Sequence, residues 1–87
     1  MFTVYILHSS KYNRIYIGAT SDLEGRLLSN NELATKGYTV KYRPWQVAFT
    51  EIYDSKIEAL AREKALKGGQ GRKFVWDKIR TLGLISA

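Results

Sequence analysis

Phe2-Thr3-Val4-Tyr5-Ile6-Leu7 and Arg14-Ile15-Tyr16-Ile17-Gly18 are two short runs rich in β-branched and aromatic residues, separated by His8 and the polar segment Ser9-Ser10-Lys11-Tyr12-Asn13. Runs of this kind favour extended backbone, and the segment between them suits a hairpin loop, so the pair predicts two antiparallel strands. Period-two geometry puts Val4 and Ile6 on one face of the first strand and Tyr5 on the other, and sets Ile15 and Ile17 against Tyr16 on the second. If the aliphatic residues face the same way, the two tyrosines share the opposite face. A one-residue slip in register would break that arrangement.

Reading onward, Thr20 or Ser21 predicts a helix N-cap, with Ser21 and Glu24 at capping-box spacing and Leu23 and Leu27 four residues apart on one face. That helix should run to about Asn30, with Gly25 inside it costing roughly 1 kcal/mol relative to alanine. Residues 30 to 44 contain Gly37, Pro44 and many polar groups and read as a long surface connection. Trp45 to Tyr53 predicts a third strand, irregular near its end. Ser55 and Glu58 form a second capping box, and Ile57, Leu60 and Ala61 form an apolar stripe for a helix ending near Lys67. Gly68-Gly69-Gln70-Gly71 reads as a break, after which Phe74, Val75, Ile79 and Leu82 fit a final amphipathic helix. The expectation is an α+β fold of order β-β-α-β-α-α, a small three-stranded antiparallel sheet flanked by helices.

The length of 87 residues predicts a single domain, 1–87, with one modest core. Cysteine is absent, which excludes disulfides and thiolate zinc sites as sources of stability or chemistry. Met1 to Leu7 lacks the basic region of a secretion signal, and no stretch approaches the roughly 20 apolar residues of a membrane span. A soluble cytoplasmic protein with no membrane partner is expected. Fourteen Lys and Arg against eight Asp and Glu give a formal charge of +6, which favours polyanions and makes nucleic acid the leading partner class. Seven of those fourteen cations lie between Arg62 and Arg80, offset only by Glu63 and Asp77.

Val4-Tyr5-Ile6 and Tyr16-Ile17-Gly18, facing one another across a predicted hairpin, resemble the paired signature of the GIY-YIG nuclease family. The likeness continues through Thr20-Ser21-Asp22-Leu23-Glu24-Gly25-Arg26-Leu27, Arg43-Pro44-Trp45, Glu58-Ala59-Leu60-Ala61-Arg62-Glu63-Lys64 and Gly69-Gln70-Gly71-Arg72-Lys73-Phe74. It is closest to the short single-domain bacterial branch and is similar to the N-terminal nuclease domain of the repair subunit UvrC.

The resemblance implies the GIY-YIG fold and an endonuclease hydrolysing phosphodiester bonds, with DNA favoured over RNA and repair or recombination as its setting. It also implies one divalent ion, Mg²⁺ or Mn²⁺, held by Glu63. By the same likeness Arg26 clamps phosphate, Tyr5 orients or deprotonates the attacking water, and Tyr16 supplies a supporting hydrogen bond. Charge offset by the ion and the arginine, with water positioned by a phenol, is chemistry that phosphodiester hydrolysis requires. A free phenol has a pKa near 10, so Tyr5 acting as a base near neutrality needs a lowered value.

Around this centre Gly18 is expected to end the second strand and admit substrate, and Thr20 and Ser21 to contact phosphate at a helix N-terminus. Asn30, Lys67, Arg72 and Lys73 are further substrate-binding candidates. Taken singly, Tyr5 and Tyr16 also suit ordinary sheet positions, and Glu63 suits an i,i+4 pair with Lys67. His8, the only histidine, is expected to be structural or at the surface. Two positions depart from the family pattern: Asn30 stands where many members have a histidine, and Gly25 where relatives often carry a basic residue. The alternative function is therefore a catalytically weak or inactive nucleic-acid-binding module on the same fold.

Overall fold

The computed structural model describes residues 1–83. It contains β1 (Phe2–Ser9), β2 (Arg14–Thr20), α1 (Leu23–Leu28), a π-helical turn (Ser29–Leu33), α2 (Tyr38–Lys41), β3 (Gln46–Tyr53), α3 (Lys56–Lys67) and α4 (Gly69–Thr81). The order is the predicted β-β-α-β-α-α with one added helical turn, α2, before β3. The strands form an antiparallel sheet in the order β2-β1-β3, so the first strand is central.

The hairpin turns where Asn13 adopts a left-handed conformation, φ 52°, which asparagine tolerates better than most residues. Ser9 accepts a hydrogen bond from the Tyr12 N–H across that turn, at 3.4 Å. His8 is structural and fully buried: its Nε2 lies 3.2 Å from Asn13 Oδ1, and its ring meets Trp76 edge-on at 6.0 Å. Register pairs Tyr5 with Gly18 and Leu7 with Tyr16, which puts the two signature tyrosines on one face as the alternation predicts.

Val4, Ile6, Ile15 and Ile17 pack on the opposite face against Ala59 and Leu66 of α3 and Val75 and Ile79 of α4. Each of these larger aliphatic side chains contributes about 1.5–3 kcal/mol on full burial. The tyrosine face carries a second cluster, Tyr5, Leu7 and Trp45, with Tyr16, Leu23, Leu27, Tyr42 and Val47 packed against it. The sheet is thus covered on both sides.

Several boundaries depart from the sequence expectation. Gly18 does not end β2, which continues to Thr20. The cap of α1 is Asp22, not Thr20 or Ser21; its Oδ1 accepts from the Gly25 N–H at 3.1 Å, and its own N–H is held by Thr20 Oγ1 at 2.9 Å. Aspartate outcompetes serine here because Thr20 already fixes the turn that presents it. Residues 30 to 44 are not a plain surface connection, since Asn30 and Thr39 are buried. The irregularity in β3 falls near its start: Ile6 pairs with Phe49 and Leu7 with Val47, leaving Ala48 as the extra residue of a bulge.

The expected stripe of α3 is also displaced. Ile57 and Leu60 are exposed, and the face turned inward is Ala59, Glu63 and Leu66. A carboxylate within a buried stripe hides it from any reading based on hydrophobicity. Finally, only Gly68 separates α3 from α4, with Gly69-Gln70-Gly71 already helical. A Cβ on Gly71 would lie 2.5 Å from Leu66 Cα, so that glycine serves the close approach of two helices instead of a break. Across the other edge of α3, Arg62 forks onto Glu51 of β3 at 2.8 and 3.2 Å, tying helix to strand.

Candidate active site

Tyr5 is 2% exposed, and the reason its ring fits is Gly18 directly across the strand pair. A Cβ at position 18 would stand 2.5 Å from Tyr5 Cζ and 2.9 Å from Cε1, so the phenol occupies the space that any other residue's side chain would take. Gly18 therefore seats the tyrosine, and the space it leaves is filled by protein. Tyr16 lies alongside, its ring centroid 6.2 Å from that of Tyr5.

Burial first, and then the neighbouring Tyr16 hydroxyl, push the Tyr5 hydroxyl up to about 12. Arg26 and the Asn30 side chain act in the opposite direction, and the Glu63 carboxylate adds to the rise. The four groups that act on this one hydroxyl come from β2, α1, the π-helical turn and α3. Tyr16, Arg26, Asn30 and Glu63 thus all lie near enough to Tyr5 to bias its hydroxyl. With no ion at the site, Tyr5 is a protonated phenol near neutrality, equipped to hydrogen-bond a water.

Asn30 owes its place to the π-helical turn. The residue is 8% exposed, and its Nδ2 is buried on the side of the Tyr5 hydroxyl, whose pKa it lowers as a donor. The turn is held from outside by Arg43, whose Nε donates to the Asn30 carbonyl at 2.6 Å and whose Nη2 donates to those of Ser29 and Ala34 at 3.2 and 2.7 Å. Asn31 completes the brace by exchanging two hydrogen bonds with the backbone of Trp45, at 2.9 and 2.6 Å. Arg43 and Asn31 were not singled out as site residues from the sequence. The Arg43-Pro44-Trp45 string was the available signal, and its meaning depends on a tertiary contact that spacing does not reveal.

Glu63 keeps 19% of its side chain exposed and pairs with Lys67, Nζ to Oε2 2.8 Å. Among the described residues no three His, Asp or Glu side chains converge on a point where a metal ion would sit. One hard carboxylate is nevertheless a fitting donor for an ion that keeps most of its water and takes its other ligands from substrate phosphate. The Lys67 ammonium shows that the carboxylate presents an oxygen to a cation.

The outer candidates divide. Lys67 and Arg72 line one groove with Tyr16 and Tyr38. Lys73 turns the other way and lines a depression with Asn13, Trp76, Asp77 and Arg80. Thr20 is buried with its hydroxyl engaged by Asp22, and the Asp22 carboxylate sits at the N-terminus of α1 where Thr20 and Ser21 were expected to meet phosphate.

Residues 1–74, which include every member of this constellation, match the family model described as the GIY-YIG catalytic domain. The chain belongs to the GIY-YIG nuclease family. A UPF0213 protein of Staphylococcus saprophyticus is 36% identical to it over 64 residues, covering 74% of this chain and 77% of the relative. A UPF0213 protein of Bacillus velezensis is 32% identical over 72 residues, covering 79% and 73%. No solved structure matches the chain. GIY-YIG nucleases act on nucleic acids and generally use divalent ions. Among the described residues of this member, no helix is long and apolar enough to cross a membrane.

Proposed function

We propose that this GIY-YIG domain, acting as one unit over residues 1–87, is an endonuclease that hydrolyses phosphodiester bonds in DNA with Mg²⁺, or Mn²⁺ in its place, held by Glu63. The observation that supports the reading is the convergence on the Tyr5 hydroxyl of Tyr16, Arg26, Asn30 and Glu63 from four separate elements. A set of sheet and helix residues serving only stability has no need to gather two phenols, a guanidinium and a carboxylate at one place.

In this scheme the protonated Tyr5 hydroxyl orients the attacking water, and Tyr16 gives a second hydrogen bond to water or phosphate. Arg26, exposed on α1, meets the phosphate as negative charge builds on its oxygens. The buried Nδ2 of Asn30 is a donor beside the Tyr5 hydroxyl, where it supports the phenol that orients the water. A divalent ion at Glu63 would supply charge offset at the phosphate and the leaving oxygen. Lys67 releases the carboxylate when that site is used and turns to the substrate backbone.

The test incubates the purified protein with labelled single-stranded, duplex and branched DNA and with RNA, in the presence of Mg²⁺ or Mn²⁺. Removing one preorganised electrostatic partner of a developing charge costs about 10²–10³ in rate, so Arg26→Ala is expected to fall by that order. Glu63→Gln should abolish cutting. Cleavage that survives Glu63→Gln would overturn the mechanism. Salt-sensitive binding with no cleavage under any metal would instead favour a non-catalytic binding module, a reading to which Asn30 in place of a histidine lends support.

A further inference from the structure

β2 is an edge strand, and a groove of about 210 Å³ runs beside it, lined by Ile15, Tyr16, Ile17, Tyr38, Lys67 and Arg72. The Tyr38 hydroxyl donates to the Ile15 carbonyl at 3.2 Å, which fixes that ring over the strand edge. From the groove a continuous file of rings leads away from the catalytic tyrosines. Tyr16 and Tyr38 stack at 6.3 Å and 28°, Tyr38 and Tyr42 lie 4.9 Å apart, and Tyr42 meets Tyr12 edge-on at 5.5 Å. Cations accompany it: the Arg14 guanidinium lies 5.1 Å from the Tyr42 ring centre and Lys11 Nζ 5.3 Å from that of Tyr12.

A core role predicts that such rings are covered, yet Tyr38 and Tyr12 remain 42% and 44% exposed. Half-open aromatic faces interleaved with cations form a surface suited to unpaired nucleotides, whose bases offer π-faces while their phosphates offer charge. A duplex hides its base faces in the stack and presents mainly phosphate, so it would use the cations and leave the rings idle.

We propose that the β2-edge groove and its aromatic file bind an unpaired nucleic-acid strand flanking the scissile phosphate. Bases stack at Tyr38 and Tyr12, and the backbone meets Lys67, Arg72, Arg14 and Lys11. The word scissile rests on the nuclease reading, because Tyr16 belongs to both sites; strand binding does not.

The experiment therefore measures binding alone, by fluorescence anisotropy without divalent ion. The probes are oligo(dT), oligo(rU), an abasic strand and a duplex, each of about 12 nucleotides per strand, a length within reach of one such surface. The wild type is expected to bind oligo(dT) or oligo(rU) about tenfold more tightly than the abasic strand. Tyr38→Leu and Tyr12→Leu should each weaken binding of the unpaired strand about fivefold or more and leave duplex binding unchanged. Tyr38→Phe, which keeps the ring and loses the hydrogen bond to Ile15, should bind the unpaired strand more tightly than Tyr38→Leu does. Equal affinity for abasic and base-bearing strands would overturn the proposal, as would leucine variants that bind like the wild type. A protein that cuts DNA without base-dependent binding refutes the groove alone, and one that shows base-dependent binding but never cuts refutes the nuclease alone.

Discussion

Tyr5 and Gly18 act as one unit: the strand register sets them opposite each other, and the missing side chain of one is the seat of the other. Two outcomes follow at this scale. The first concerns pH. Burial raises the folded-state pKa of Tyr5 to about 12, above the value near 10 of an unfolded tyrosine. A raised pKa means the stabilising contribution is complete below the unfolded value and is lost as pH climbs through the folded one. In metal-free buffer, phenolate absorbance should show Tyr5 ionising near the top of the alkaline range, in addition to Tyr53, whose pKa burial and its hydrogen bond to Glu51 also raise. Tyr5→Phe should remove that step and with it part of the alkaline loss of stability. A late step of undiminished amplitude in Tyr5→Phe would contradict the burial.

The second outcome concerns space. Gly18→Ala places a methyl 2.5 Å from Tyr5 Cζ and must displace the ring, because the nearest atoms it meets all belong to that side chain. Overpacking of this kind costs about 1–3 kcal/mol. Cleavage should fall more than stability alone explains, since the hydroxyl moves away from Arg26 and Glu63. Chemical denaturation beside a cleavage assay separates the two effects. Alternation along the strands made the shared face of Tyr5 and Tyr16 legible in the sequence. The seating of Tyr5 on Gly18 was not, because register fixes which residue lies opposite and depends on the turn at Asn13.

At the scale of elements the π-helical turn Ser29–Leu33 decides the site. It lies between α1 and α2 where the sequence showed polar, glycine-containing connection, and it turns Asn30 inward while Asn31 reaches Trp45. Arg43 supplies charged donors to two of its carbonyls and to that of Ala34 just beyond it. Hydrogen bonds to charged groups each contribute about 1.5–3 kcal/mol, and their loss leaves carbonyls uncapped. Arg43→Ala is expected to lower unfolding free energy by about 2 kcal/mol or more and to open the turn first. Hydrogen exchange should report faster amide protons around Asn30 and Ala34, with the amides of the central strand β1 unchanged. Uniform acceleration across the whole sheet would instead mean that Arg43 supports the fold at large. The sequence revealed the helices by their capping pairs and spacing, and Ser55 does cap α3, accepting from the Glu58 N–H. It missed the inward face of that helix because Ile57 and Leu60 are more apolar than Ala59 and Glu63, yet Ala59 and Leu66 pack in the core with the half-buried Glu63 between them. Hydrophobicity ranks side chains, whereas the path of the chain out of β3 sets which of them turns inward.

For the whole molecule, a charge of +6 was legible from composition, but its division between two surfaces was not. Helix α4 crosses the structure so that Arg72 opens onto the Tyr16 and Tyr38 groove, while Lys73 and Arg80 line the depression beside Trp76, with Arg80 tied to Asp77 at 2.8 Å. Neighbours in sequence thus face different solvent regions. If the groove carries the nucleic acid, only its cations release counterions on binding. The logarithm of affinity falls linearly with the logarithm of salt concentration, by about 0.7 per phosphate neutralised on a single strand. Arg72→Ala should therefore flatten that dependence by about 0.7, whereas Arg80→Ala should leave the slope unchanged and shift binding little. Arg80 is the informative control because both substitutions remove one positive charge from α4 and alter the net charge equally. A diffuse attraction governed by net charge would make the two variants alike. A groove that holds the strand makes them differ, and anisotropy titrations of both variants across a salt series decide between the two.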